Sequence, residues 1–163
     1  MDTDTAIIAE LHGLRRRMPE VTGSALAGVD GLLITADLPG ADADSIAALA
    51  AASLGLGRRF ALTAGHGELQ ETVIQGVRGY VAIYAAGSHA LLTVLSGAET
   101  NLGLLHMEAR RVARLLSDLL RATPPATNVP SSPPGFLDNR APLAVRTPMA
   151  TLPYNPAIPR RHL

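Results

Sequence analysis

Cysteine, lysine and tryptophan are all missing from this 163-residue chain, and its only aromatic side chains are Phe60, Tyr80, Tyr84, Phe136 and Tyr154. Without cysteine there can be no disulfide framework, no thiolate nucleophile and no common structural zinc site. Without lysine, a P-loop has no ammonium for the β- and γ-phosphates, and a Schiff-base mechanism has no amine. The chain is therefore not itself a P-loop GTPase. All fourteen cationic side chains are arginine, as in proteins from GC-rich genomes. They are balanced by fourteen acids, so no long-range field recruits nucleic acid or anionic lipid. The start, Met1-Asp2-Thr3-Asp4, is acidic where a secretory signal needs positive charge, and no apolar run approaches the length of a bilayer span. A cytoplasmic protein with no direct membrane insertion is expected.

The chain divides into a body and a tail. All prolines except Pro19 and Pro39 lie from Pro124 onward. Proline removes a backbone donor and fixes φ, so residues 122–163 are expected to form a disordered, polyproline-prone tail. That tail is either a solvated extension or a docking peptide for a partner domain. The body, residues 1–121, has the size of one domain.

The body opens with a helix in which Ile7, Leu11, Leu14 and Met18 recur at three- and four-residue intervals, ended by Pro19. The runs Val21 to Val29 and Leu32 to Ala36 flank Asp30-Gly31 and predict a hairpin closed by a type I′ turn. Asp42 or Asp44 can cap a second helix running through an alanine-rich stretch toward Leu56, with Arg58-Arg59 at its end. Strands follow at Leu69 to Val77, Tyr80 to Ala86 and Ala90 to Ser96, close enough together for an antiparallel meander. Asn101 can cap a final helix with an apolar stripe of Leu102, Leu105, Ala109, Val112, Leu116 and Leu119; Glu108, Arg110, Arg111, Arg114 and Asp118 are expected to face water. The order α-β-β-α-β-β-β-α predicts an α+β fold: a profilin-like three-layer sandwich, with a five-stranded antiparallel sheet and helices on both faces.

The second helix carries two apolar sides. Ile46, Leu49, Ser53 and Leu56 fall on one, and Ala43, Ala47, Ala50, Ala51 and Leu54 on the other. A helix lying on a single sheet needs only one. The alanine side therefore points to close approach by a second copy of the chain, unless the alanines serve helix propensity alone.

The body resembles the roadblock family of dynein-light-chain and GTPase-regulator proteins over roughly residues 5–121. The likeness rests on the hairpin Gly23 to Ile34 with its Val29-Asp30-Gly31-Leu32-Leu33-Ile34 core, the alanine-rich helix after it, and the runs Gly79 to Ala85 and Leu91 to Leu95. It implies a homodimer in which the central helices pack together and the third strands pair edge to edge. Mapped onto this chain, the helical contact would use Ala43, Ala47, Ala50, Ala51 and Leu54, and the strand contact Glu71, Val73, Gln75 and Val77. The resemblance also implies a Ras-like small GTPase as partner, in a bacterial signalling complex that can include a sensor kinase.

No motif in the chain points to catalysis or to a cofactor. His12, His66, His89, His106 and His162 show no metal-binding interval, and Ser88-His89 reads as turn chemistry. Glu68 and Glu71, three apart on a strand, point to opposite faces and cannot act as an acid–base pair. Arg58 and Arg59 either neutralise helix carbonyls or contact an acidic patch on a GTPase. The function expected is a non-catalytic, dimeric interaction protein that regulates or scaffolds a Ras-like GTPase. The alternative is a small-ligand sensor with a pocket between sheet and helix, against which the sparse aromatics weigh.

Overall fold

The computed structural model describes residues 3–122. The proline-rich tail lies outside the described residues from 123 onward. Eight elements follow in order: α1 (Thr3–Arg17), β1 (Val21–Gly28), β2 (Leu33–Asp37), α2 (Ala43–Thr63), β3 (Glu71–Gly76), β4 (Gly79–Ala86), β5 (Ala90–Gly97) and α3 (Leu102–Ala122). The strands form one antiparallel sheet in the order β2-β1-β5-β4-β3. Both the element order and the three-layer architecture agree with the sequence reading.

Helices α1 and α3 share one face of the sheet. Ile7, Leu11 and Leu14 of α1 and Leu105, Ala109, Val112 and Leu116 of α3 bury against Leu26, Tyr84, Leu92 and Val94. The α3 stripe is the expected one, although Leu102 and Leu119 at its ends are only partly covered. Its cap also forms as expected, with the Leu104 amide donating to Asn101 Oδ1 at 3.1 Å. Helix α2 alone covers the opposite face, over Ala27, Ile83 and Leu91.

Two local expectations need correction. The β1–β2 turn is not type I′, which requires positive φ at both central residues, because among the described residues only glycines have positive φ. Instead the Gly31 amide bonds to the Gly28 carbonyl at 2.9 Å, Gly31 is left-handed at φ 86°, and Asp30 Oδ1 accepts the Leu32 amide at 3.1 Å. A Cβ on Gly31 would lie 3.2 Å from the Ala48 backbone, so the glycine also lets the hairpin press against α2.

The second correction is the length of α2, which runs on to Thr63 instead of stopping near Leu56, leaving Arg58 and Arg59 inside the helix. Gly55 and Gly57 do not break it, since tertiary packing overrides a propensity cost of about 1 kcal/mol per glycine. Beside Gly57, Leu69 and Thr72 come close enough that a Cβ would fall 2.8 Å and 3.0 Å from them. At 21 residues, with a mean hydropathy of 1.2 over an 18-residue stretch, α2 is long and apolar enough to cross a membrane by length and composition alone, contrary to the sequence reading. Its row of Ala47, Ala50 and Leu54, buried on the sheet, marks it here as a sheet-covering helix.

Candidate functional site

The candidate site is built on α2, which packs on its face of the sheet without a second helix among the described residues. Ala47, Ala50 and Leu54 are buried, Ala51 packs against the same cluster, and Ala43 is half-buried at the helix start. The alanine side therefore faces the chain's own sheet, and the assignment of Ala47, Ala50, Ala51 and Leu54 to a contact between copies is overturned. The physical reason is distance: small side chains admit a close neighbouring backbone, and the sheet already provides one. The other side carries the larger residues into solvent, with Leu49 64%, Leu56 62% and Phe60 70% exposed. These three recur at seven and four residues and form a seam along the outer surface.

Strand β3 lies at the edge of the sheet and, among the described residues, pairs only with β4. Its outer backbone groups are open to another strand. Glu71, Val73 and Gln75 lie opposite Tyr84, Ala82 and Tyr80. Ala82 and Tyr84 belong to the α1/α3 core, so these three β3 residues share that face. Ile74, half-exposed opposite Val81, lies on the α2 face and extends the apolar surface toward the edge. Val77 lies past the strand end in the turn and is fully exposed.

The side chain of Glu71 is committed within the chain. Arg110 of α3 grips it at both oxygens, Nε to Oε2 at 2.8 Å and Nη2 to Oε1 at 2.6 Å. His106 Nδ1 lies 3.4 Å from Glu71 Oε1 and 2.8 Å from the Tyr84 hydroxyl. The bonds from Arg110 hold the Glu71 carboxyl below its ordinary range of about 4.5, burial opposes this, and the nearby His106 adds to the lowering. Burial pushes the Tyr84 hydroxyl well above its ordinary value, assisted by the Glu71 charge, which keeps it a neutral O–H. This quartet anchors the start of the edge strand to α3. Arg110 is exposed, as the α3 stripe predicts; what the period does not show is that this margin of the helix meets β3. Glu108 likewise carries ion pairs, to Arg17 of α1 at 2.9 Å and to Arg111 at 3.6 Å. Arg58 is half-buried and Arg59 exposed, and neither has a carboxylate partner among the described residues. Among the described residues, no three histidines or acids gather where a metal ion could be held.

The hairpin, the alanine-rich helix and the two strand runs that carry the resemblance to roadblock proteins form as β1–β2, α2, β4 and β5. The sequence profile of the Roadblock/LC7 domain matches residues 7–96, from α1 to the end of β5. The chain belongs to the Roadblock/LC7 domain family. An uncharacterized protein of Methanocaldococcus jannaschii is 39% identical over 94 residues, which is 57% of this chain and 82% of that protein. Among solved structures, a Roadblock/LC7 domain from Streptomyces avermitilis superposes with a TM-score of 0.64 at 28% identity, covering 69% of this chain and 96% of that one. The gliding protein MglB of Thermus thermophilus gives a TM-score of 0.68 at 21% identity, over 76% of this chain and 94% of MglB. Myxococcus xanthus MglB gives 0.66 at 21%, over 73% and 98%. At that identity the two MglB structures show a shared fold. The Roadblock/LC7 profile ends before α3, so the Glu71–Arg110 anchor joins a strand inside the matched region to a helix beyond it.

Proposed function

We propose that this Roadblock/LC7 protein is a homodimeric, non-catalytic interaction protein that binds a Ras-like small GTPase and regulates it or holds it in a signalling complex, which can include a sensor kinase. The observation that carries the reading is the solvent-facing seam of Leu49, Leu56 and Phe60 on α2. A contiguous apolar surface of this kind favours a macromolecular contact. Beside it lies an open sheet edge. A twofold axis perpendicular to the sheet beside β3 would pair two β3 backbones antiparallel and bring the two α2 helices together on one face. The strand contact expected at Val73 and Gln75 fits this arrangement through their backbone groups, whereas Val77 lies outside the strand. Cytoplasmic location belongs to the same proposal.

The GTPase partner comes from the resemblance to roadblock regulators, supported by family membership and by the MglB fold likeness. Directly under α2, Ala47, Ala50, Leu54, Ile83 and Leu91 pack as one apolar cluster, which weighs against a ligand-sensor pocket there. To test the GTPase reading, the Ras-like GTPases encoded in the same genome are titrated with the purified protein, each loaded with GDP or with a non-hydrolysable GTP analogue. Binding to one of them with a preference for one nucleotide state is expected. A stable dimer that binds none in either state contradicts the reading.

A further inference from the structure

We propose that the end of the sheet at the β4–β5 turn carries a docking trough for an acidic peptide segment of a partner protein, held by Arg58, Arg114 and Arg121. Two adjoining surface cavities of about 590 and 420 Å³, with Glu68, Leu69 and Ala85 in both linings, make up the trough. Arg58 of α2 and Arg121 of α3 line the first, and Arg114 of α3 lines the second.

These three arginines lack a carboxylate partner, as Arg16, Arg59 and Arg78 do among the described residues, and they differ from those in lining the trough together. Arg15, Arg17, Arg110 and Arg111 each lie within 4.0 Å of a carboxylate. Arg58 and Arg121 have no such partner among the described residues, and Arg114 reaches only the Arg110 carbonyl, at 3.3 Å. Against these three guanidinium groups stands a single lining carboxylate, Glu68, while the Arg110 charge is already taken by Glu71. On a chain with a formal charge of zero, this is a local cationic excess facing open space.

The shape of the trough selects the occupant. Gly87 is left-handed at φ 76°, and a Cβ there would fall 2.5 Å from the Ser117 hydroxyl, so the β4–β5 turn presses directly on α3. Ser88 of that turn and Arg121 of α3 both line the first cavity. Arginine binds carboxylates through paired N–H donors. The three cations are distributed along two adjoining cavities, an arrangement that suits several single carboxylates on an extended chain better than one compact phosphate. Leu62, Leu69 and Ala85 offer an apolar floor for aliphatic stems. Arg58 projects from the side of α2 opposite the Leu49, Leu56 and Phe60 seam, so the trough stays open when the seam is covered.

The test uses the full chain and a fluorescein-labelled poly-glutamate peptide, followed by anisotropy at low salt. Saturable binding is expected, weakened about tenfold or more by the pair Arg58→Glu and Arg121→Glu. The pair Arg16→Glu and Arg78→Glu makes the same change in charge at unpaired arginines elsewhere, and is expected to alter binding less than about twofold. Equal loss in both pairs, or no saturable binding, overturns the proposal. So does binding of inorganic pyrophosphate at these arginines without binding of the peptide. If circular dichroism shows that the Arg58 variant does not fold, the exposed pair Arg114→Glu and Arg121→Glu is held to the same expectation. The readout does not depend on the GTPase reading, so either can fail alone.

Discussion

The two faces of the sheet differ in how far one copy of the chain completes them. On the α1/α3 face, seventeen buried residues form a core closed by two helices. On the α2 face there are six, under a single helix whose outer seam holds Leu49, Leu56 and Phe60 in solvent. The first face holds most of the buried core, and the second leaves an apolar seam that the proposed dimer would cover. Stability and association are therefore expected to separate by face, the first residing mainly under α1 and α3 and the second along α2 and β3.

The comparison can be broken from either side. Leu116→Ala, fully buried on the closed face, is expected to lower unfolding free energy by about 3 kcal/mol in chemical denaturation, through lost transfer energy and the cavity left behind. A loss under about 1 kcal/mol would show that the core is not concentrated there. Gly31→Ala should cost about 1–2 kcal/mol, because the new side chain meets a left-handed φ and the Ala48 backbone together. Thr93→Val has the opposite sign. Its hydroxyl is buried beneath α2 without a hydrogen-bond partner, so the near-isosteric valine should raise stability by about 1 kcal/mol, read as a higher denaturation midpoint.

The smallest effect is confined to acid. The Glu71 carboxyl is lowered in the folded protein, so its contribution is complete above its ordinary value of about 4.5. It is lost as the pH falls through the folded value. Glu71→Gln should therefore reduce stability at neutral pH and flatten the loss below pH 4.5, as measured by thermal denaturation across that range. Parallel curves for the two proteins would remove the anchoring role given to Glu71.

Much of this architecture could be read directly from residue patterns. The α1 and α3 stripes, the Asn101 cap and the short links between β3, β4 and β5 are local signals, and each element formed where its signal lay. The turn at Gly31 was located correctly but assigned the wrong type, because Asp-Gly marks a left-handed glycine without specifying the φ of the aspartate. What local pattern could not decide was which apolar side of α2 meets the sheet. Periodicity reveals two stripes and is silent on what covers each, and the alanine side fits any backbone that comes close. The Glu71, Tyr84, His106 and Arg110 quartet was hidden for a related reason. Its members come from β3, β4 and α3, and only the sheet register together with the position of α3 over it brings them together.

The most direct test of the incomplete face is the mass of the full chain in solution by light scattering, with and without Leu56→Arg on the outer seam. The account predicts twice the chain mass of 17.0 kDa for the natural sequence and a folded particle of single mass for the variant. A natural chain that stays at single mass across concentrations, or a Leu56→Arg protein that still doubles, would contradict it.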